Sequence, residues 1–297
     1  QGFYRSGNGA ISGMKSKTAN SVNCSTCRDH QYVVSNKKGK VQATACKCFD
    51  CELCQGTGRI LAEGADGISR ISECQCADFN KKLKLFNQAG IPGKFVHESL
   101  GNFEVATPRH RLLKDALSHS RTFIKEFIQM KGQYSQGLIF MGEPGLGKTH
   151  LAVSIIKELI LAHGVECKFV DFFELLRDIR HGYGEDISES EFMDPYVDVK
   201  VLVIDELAKG RNTEWELTIL DHFISARYND DDKVTLVTTN FRDKLDSGIG
   251  TEDSKKLSNA STRYTLEEKI GPRIFSRLME MCKKVYLQGK DFRSERV

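Results

Sequence analysis

Short apolar runs alternate with longer amphipathic stretches from residue 101 to the end of the chain. The apolar runs predict buried strands, and they cover residues 137–141, 167–170, 201–204, 234–239 and 284–287. The stretches between them predict helices over residues 110–131, 148–163, 171–181, 213–228 and 265–281. Strands that alternate with helices in this way form a parallel sheet that is covered on both faces. The pattern therefore predicts an α/β domain over residues 101–297.

The first 100 residues lack this alternation. Residues 1–20 are polar and rich in Gly, Ser and Asn, which predicts a flexible tail. Residues 21–78 hold a cluster of cysteines. Residues 79–100 are predicted to be a linker and lead-in helix, because a short amphipathic stretch is ended by Ile91-Pro92-Gly93. Later in the chain, residues 242–264 have little apolar periodicity and predict a long surface loop.

A Gly-rich loop joins the strand predicted at residues 137–141 to the helix predicted at 148–163. It matches the phosphate-binding pattern G-x-x-x-x-G-K-[ST] at every position, in the context that this motif requires. Backbone N–H groups of such a loop face phosphates, and the helix N-terminus favours the anion. The sequence thus predicts an ATP or ADP site, in which Lys148 reaches the β- and γ-phosphates and Thr149 binds Mg2+. The matching residues are Gly142, Glu143, Pro144, Gly145, Leu146, Gly147, Lys148 and Thr149.

Two adjacent carboxylates, Asp205 and Glu206, follow the apolar run at residues 201–204. Beside a phosphate-binding loop, the first acid of such a pair holds Mg2+ and the second can orient and activate water. We therefore expect Asp205 to bind the metal and Glu206 to act as the catalytic base of ATP hydrolysis. Asn240 follows the next strand, where its side chain either reaches the γ-phosphate or forms a turn.

Eight of the ten cysteines lie between Cys24 and Cys76, and they form a tandem repeat. In each unit a C-x-x-C pair is followed, after a strand-like spacer and a Gly-containing turn, by a C-x-C pair. Each unit is predicted to be a β-hairpin that brings four thiolates around one tetrahedral Zn2+. The predicted ligands are Cys24, Cys27, Cys46 and Cys48 for one Zn2+, and Cys51, Cys54, Cys74 and Cys76 for the other.

Other arrangements of these cysteines remain open. Free or disulfide-bonded cysteines and an iron–sulfur cluster are the alternatives to zinc. Residues 51–58 resemble the C-x-x-C-x-G-x-G repeat of the DnaJ-type zinc domain, in which distant repeats can share a metal. A crossed arrangement would join Cys24 and Cys27 with Cys74 and Cys76, although one Zn2+ per hairpin suits each spacer.

Charge and composition limit the possible partners and location. The net charge of +3 permits nucleic-acid binding without arguing for it. No run of about 18 apolar residues is present, so we expect no membrane span. Clustered cysteines beside a nucleotide-binding motif favour metal-bound thiolates in a reducing cytoplasm.

The order of the nucleotide motifs resembles that of AAA+ ATPases, and in detail that of the DnaC/DnaI helicase loaders and the transposase helper IstB. The resemblance covers about residues 85–297. It is carried by residues 142–152, by the stretch from 205–207 to 227–228, by 238–240, by Arg273-Ile274-Phe275-Ser276-Arg277-Leu278, and by the lead-in Ala89-Gly90-Ile91-Pro92. It implies an AAA+ P-loop fold without a C-terminal lid domain, preceded here by the small zinc-binding hairpin domain.

The resemblance also implies roles for particular side chains. Asn240 matches the polar sensor at the γ-phosphate, and Arg277 matches the arginine finger that serves the ATP of a neighbouring subunit. Arg293 matches the second sensor arginine, His150 belongs to the nucleotide-binding stretch, and Arg227 is a further candidate for a subunit interface.

The function that the resemblance implies most directly is ATP-dependent loading of the replicative helicase. The N-terminal domain would bind the helicase, and the ATPase core would contact single-stranded DNA and assemble with copies of itself into a ring or spiral. The alternatives are an IstB-like helper ATPase of a transposase and a zinc-containing nucleotide switch that does not hydrolyse ATP.

Overall fold

The computed structural model describes residues 24–63, 68–105, 111–133, 136–183, 188–243, 264–289 and 291–292. The chain begins with two antiparallel hairpins. The first pairs β1 (Tyr32–Lys37) with β2 (Lys40–Ala45), and the second pairs β3 (Arg59–Glu63) with β4 (Ser69–Glu73). A two-residue turn closes the first hairpin, and both of its residues, Lys38 and Gly39, have positive φ (51° and 79°). This backbone twist matches that of the flanking strands.

The lead-in segment follows the hairpins and packs against the ATPase core. It consists of α1 (Ala77–Gln88) and a 3₁₀ turn over Gly93–Phe95. Phe86 and Ile91 are fully buried in the same apolar cluster as the helices of the core. Residues 79–100 are therefore a packed layer of the molecule rather than an extended tether.

Five parallel strands form the central sheet, in the order β6-β7-β8-β5-β9. Every residue of β5, β7 and β8 is buried, because helices cover both faces of the sheet. The predicted parallel α/β sheet is thus confirmed. The strands are β5 (Gly137–Met141), β6 (Cys167–Asp171), β7 (Val201–Asp205), β8 (Val234–Thr239) and β9 (Cys282–Tyr286).

The helices that accompany the sheet agree with the predicted ones except in two places. The helix α5 was not predicted, although Ser188 caps it by accepting the backbone N–H of Glu191. The helix predicted at 265–281 is divided into α7 and α8, because Gly271 has φ of 82° and Pro272 starts a new helix. The helices are α2 (Arg111–Gln129), α3 (Lys148–His163), α4 (Phe172–Gly182), α5 (Glu189–Val197), α6 (Glu214–Tyr228), α7 (Leu266–Ile270) and α8 (Pro272–Met281).

The order of the strands brings the predicted nucleotide residues together. The strands β7, β8 and β5 are neighbours, and their carboxyl ends lead to Asp205, Asn240 and the loop at 142–147 respectively. In open α/β sheets, ligands bind beyond the carboxyl ends of the strands. Most of the surface loop predicted at 242–264 lies outside the described residues. Among the helices that the structure describes, none has the length and apolar character needed to cross a bilayer.

Candidate functional site: a nucleotide cavity and two cysteine clusters

The Gly-rich loop curls at the carboxyl end of β5 and leads into α3. Gly145 and Gly147 both have φ of 81°, a conformation that residues with a Cβ rarely adopt. A Cβ on Gly147 would lie 2.6 Å from Cε2 of Phe103, so the close approach of this ring also requires glycine. The loop can therefore present its backbone N–H groups and the N-terminus of α3 to phosphates.

Lys148 is buried and bends back over the loop. Its Nζ donates hydrogen bonds to the carbonyl oxygens of Gly142 (2.7 Å) and Glu143 (2.6 Å). These bonds hold the ammonium group inside the loop. Bound phosphate oxygens would compete with the two carbonyls for the same ammonium group.

Asp205 joins the loop helix to the sheet. Its Oδ1 accepts a hydrogen bond from Thr149 Oγ1 (2.8 Å) and another from Thr238 Oγ1 (2.6 Å). Burial raises the pKa of Asp205, while the two hydroxyl groups act in the opposite direction. A hydroxyl and a carboxylate that meet in this way form the oxygen-rich site that Mg2+ prefers. Thr149 and Asp205 therefore fit the metal that a P-loop nucleotide site uses.

Glu206 lies at the mouth of the same cavity with a φ of 54°. Its backbone N–H donates to Thr238 Oγ1 (3.0 Å), and its carboxylate pairs with Lys209. This backbone conformation is uncommon for a residue with a side chain, and such conformations cluster at functional sites. The side chain of Asn240 lines the cavity near Glu206 and Thr238.

The cavity enclosed by these residues has a volume of about 600 Å³, which lies in the usual range for small-molecule sites. His150 lies on its wall, where Nε2 is 2.9 Å from the carbonyl oxygen of Ser99 and the ring meets that of Phe103 edge-on. The residues on the opposite wall of this cavity were not predicted from the sequence. Its lining residues are Lys94, Phe95, Glu98, Asn102, Phe103 and Glu104, together with Phe292. The aromatic residues that follow Pro92 were the signal that could have indicated it.

The three arginines singled out from the sequence have different environments. Arg277 lies outside the cavity, on α8, where it contacts Asp221 Oδ1 (2.9 Å) and Ser225, and its guanidinium lies 5.6 Å from the ring of Tyr228. Arg293 lies outside the described residues.

Arg227 is buried, so the hypothesis that it contributes to a subunit interface is wrong. Its guanidinium donates to four backbone carbonyls and to Thr235 Oγ1. It thereby connects the end of α5 to the start of β8. Its exposed fraction is 1%, which leaves no surface for a neighbouring subunit.

The eight clustered cysteines form two sets, one at the base of each hairpin. The first set contains Cys24, Cys27, Cys46 and Cys48, and the second contains Cys51, Cys54, Cys74 and Cys76; the four sulfurs of each set lie within 4.8 Å of one another. This grouping follows the preferred pairing rather than the crossed one.

The sulfur positions fit zinc. The closest Sγ pairs are 3.2 to 3.7 Å apart. Four thiolates placed tetrahedrally at about 2.3 Å from a zinc ion would lie about 3.8 Å from each other. An iron–sulfur cluster would need a wider arrangement, because its own atoms lie between the thiolates. Each set could therefore hold one Zn2+, with all four positions filled by protein.

A parallel sheet that carries a phosphate-binding loop, an adjacent strand-end aspartate and a cavity between them defines a P-loop nucleotide-binding protein. The family model described as "IstB-like ATP binding protein" matches residues 124–296, more than half of the chain. The chain belongs to this family of AAA+ ATPases.

The chain is also similar to individual proteins, one of which is a replicative helicase loader. The chain is 29% identical over 161 residues to the uncharacterized protein YqaM of Bacillus subtilis, a match that covers 52% of this chain and 50% of that protein. It is 26% identical over 185 residues to the replicative helicase loader DnaC of Escherichia coli, covering 61% of this chain and 71% of DnaC. The chain thus spans half the length of the first relative and somewhat more of the second.

The fold agrees with these similarities. A crystal structure of the DnaC helicase loader superposes with a TM-score of 0.53 at 25% identity, covering 66% of this chain and 99% of that one. The predicted AAA+ P-loop fold is therefore confirmed, and the family match supports the assignment of this chain as a P-loop ATPase.

Proposed function

We propose that this chain is an ATP-hydrolysing loader of a replicative helicase. The observation that carries the ATPase part is that Lys148, Thr149, Glu206 and Asn240 line one cavity, while Asp205 accepts a hydrogen bond from Thr149 at its edge. Lys148 would bind the β- and γ-phosphates, and Thr149 and Asp205 would hold Mg2+. The bound metal would neutralise charge that develops on the phosphates.

Glu206 is the residue that we assign to activation of the attacking water. Glu206 directly follows β7 with a positive φ, and it lines the cavity together with Asn240. Its carboxylate pairs with Lys209 at the side of the cavity, and a general base must lie within reach of the water it activates. Asn240 would orient the water or the γ-phosphate.

Arg277 is proposed to complete the site of a neighbouring subunit. In the single chain it is held by Asp221 and Ser225 on α6, away from its own cavity. Its side chain keeps 22% of its surface exposed, so an incoming γ-phosphate could replace the carboxylate as its partner. An interface of this head-to-tail type generates rings or open spirals.

Helicase loading is proposed over transposition because the similarity to DnaC extends over 71% of that protein and includes its crystal structure. The matched family is described as IstB-like, and this favours a transposase helper as the second candidate. Purified replicative helicase and purified transposase from the source organism, each tested for ATP-dependent complex formation, would distinguish the two. Binding to the transposase alone would refute the loader assignment.

A surface on α4 and α6 supports the proposed contact with single-stranded DNA. We call it the aromatic–arginine patch. The Arg180 guanidinium lies 4.6 Å from the Trp215 ring, whose Nε1 donates to the hydroxyl of Tyr183 (3.0 Å). Its members are Phe173, Arg177, Arg180, Tyr183 and Trp215, and all of them except the half-buried Trp215 are exposed.

Such a patch suits single strands, because unpaired bases stack on aromatic rings and arginines bind the phosphates. Tyr183→Ala should weaken binding of a fluorescent single-stranded oligonucleotide, by about 1–3 kcal/mol for each stacked base that is lost. Tyr264→Ala is the matched control, because Tyr264 is similarly exposed elsewhere. Equal affinities for all three proteins would exclude this patch as the DNA site.

A further inference from the structure

One wall of the nucleotide cavity is a continuous piece of chain, residues 93–104, which we call the cavity wall. It begins at the first hairpin and ends against the phosphate-binding loop. Phe95 and Glu98 line the cavity from its middle. At its far end, the ring of Phe103 touches Gly147 so closely that a Cβ there would be 2.6 Å away.

The start of the cavity wall is joined to the first hairpin by backbone hydrogen bonds. The N–H of Gly93 donates to the carbonyl of Gly39 (2.7 Å), and the N–H of Val41 donates to the carbonyl of Ile91 (2.8 Å). Residue 92 pairs with residue 40 as an antiparallel bridge. Residues 91–93 thus add a short third strand to the edge of the hairpin.

Side chains reinforce this junction. Val41 is buried in the same cluster as Ile91, and the Asn87 side chain makes two hydrogen bonds to the backbone of Ala43 (2.7 and 3.0 Å). Gly93 packs directly on Asn36 of the hairpin: a Cβ on Gly93 would lie 2.4 Å from the Asn36 amide. The hairpin and the start of the wall therefore cannot move independently.

The other side of the cavity wall is fixed to α3. Lys157 Nζ donates to the carbonyl oxygens of residues 95, 96 and 98, at 3.1, 3.0 and 2.7 Å. Burial lowers the pKa of Lys157 to about 8. His150, at the start of α3, contacts the carbonyl of Ser99. The wall is held between the hairpin and the helix that begins at the phosphate-binding loop, so a displaced hairpin would displace the cavity lining.

The second hairpin is attached elsewhere. Phe49 stacks on Phe79 (4.2 Å between ring centroids), and the Asn80 side chain donates to the carbonyl of Gly56 (3.2 Å). These contacts lie at the first turn of α1, at the opposite end of that helix from the cavity wall. The cysteines of this hairpin form a separate cluster with Phe49 and Ile60.

We propose that the first cysteine hairpin regulates nucleotide affinity through the cavity wall, whereas the second hairpin does not. The inference rests on the proposed function, because it assumes that the cavity binds ATP or ADP. Loss of metal from the first hairpin would loosen residues 91–93. The aromatic side chains of the cavity wall would then move away from the base of the bound nucleotide. Coupling is reciprocal, so bound nucleotide would also slow the loss of Zn2+ from the first hairpin only.

The first experiment compares the two hairpins. In the 297-residue chain, one variant carries Cys27→Ser with Cys48→Ser, and its matched control carries Cys54→Ser with Cys76→Ser. We expect the first variant to bind a fluorescent ADP analogue at least about fivefold more weakly than the unmodified chain, and the control to stay within about twofold. Equal weakening in both variants, or none in either, would overturn the proposal.

The second experiment leaves all cysteines intact. Gly93→Ala forces the hairpin away from the wall, and adding Asn36→Ala removes the colliding amide. Gly93→Ala should weaken binding of the ADP analogue with two Zn2+ still bound, and the double variant should restore it, with Asn36→Ala alone as the reference. Normal affinity of Gly93→Ala, or no recovery in the double variant, would contradict coupling through this contact.

A zinc-release measurement provides the reciprocal readout. The chain is mixed with a chromophoric zinc indicator in the presence and absence of ADP, and the release of each Zn2+ is followed. ADP should slow one of the two release phases, and that phase should be missing from the Cys27→Ser/Cys48→Ser variant. An unchanged time course would refute reciprocity. These readouts judge the coupling even if the chain proves not to hydrolyse ATP, a result that would refute the proposed function instead.

Discussion

Replacing Arg227 by Met tests whether this arginine is structural or part of a subunit interface. Its guanidinium makes five hydrogen bonds, four of them to the backbone carbonyls of residues 196, 197, 199 and 234. Burial lowers the pKa of Arg227 to about 10, which indicates that desolvation offsets part of this bonding. A methionine would fill much of the volume and leave these acceptors without their donor.

The expected loss can be worked out from these contacts. Five hydrogen bonds from a charged group, at about 1.5–3 kcal/mol each, would together suggest a large loss in the free energy of unfolding. The desolvation cost of the charge disappears in the variant, however, and the bonds share one guanidinium and are not additive. The acceptors are neutral, so the variant leaves no uncompensated charge, but each buried acceptor left unsatisfied costs about 1–3 kcal/mol. We therefore expect Arg227→Met to lower the free energy of unfolding by about 3–5 kcal/mol.

Urea unfolding, followed by far-UV circular dichroism, measures this change. Arg273→Met is the matched control, because the Arg273 side chain is 72% exposed and forms a long ion pair of 3.6 Å with Asp221. Its effect should be within about 0.5 kcal/mol. Below its melting temperature, the Arg227→Met chain should retain nucleotide binding. A normally stable Arg227→Met chain that fails only in assembly would refute the structural assignment and restore the interface hypothesis.

The remaining predictions concern chemistry, assembly and metal. Lys148→Ala should abolish nucleotide binding or turnover. Glu206→Gln should bind ATP in equilibrium dialysis but should not release phosphate, and normal turnover by this variant would show that Glu206 is not the catalytic base. Arg277→Ala should bind ATP but lose hydrolysis, on the order of 10³-fold or more. Mixing it with Lys148→Ala chains should restore some activity, and assembled but inactive mixtures would exclude action in trans. Elemental analysis should find about two Zn2+ per chain, and one Zn2+, or iron, would contradict the two-hairpin arrangement. Cys54→Ser should destabilise the second hairpin without abolishing ATP binding.

Much of the nucleotide site could be predicted because its signals are local. The phosphate-binding loop is one continuous segment, and its glycines have to adopt conformations that other residues avoid. Asp205 and Glu206 were identifiable because they end an apolar run next to that motif. The spacing within each cysteine unit likewise favoured one set of ligands per hairpin, and the structure groups the sulfurs in that way.

The helix boundaries show where local signals were insufficient. The division between α7 and α8 depends on the positive φ of Gly271, whereas the apolar periodicity continues across it and predicted one helix. The helix α5 contains Pro195 and offers a weak apolar pattern, so only its capping residue Ser188 indicated it.

The sequence by itself determined the class of this protein, because hydrophobic periodicity, the phosphate-binding loop and the cysteine spacing each depend on residues that are close along the chain. Only the tertiary structure decided between Arg227 and Arg277: both were candidates for a subunit interface, but Arg227 is buried among carbonyl groups while Arg277 remains partly exposed. It also decided that the first hairpin joins the cavity wall, through contacts such as that between Gly39 and Gly93. Such contacts join residues about 50 positions apart. They depend on the strand order and on the close approach of two backbone segments, which a local sequence pattern does not predict.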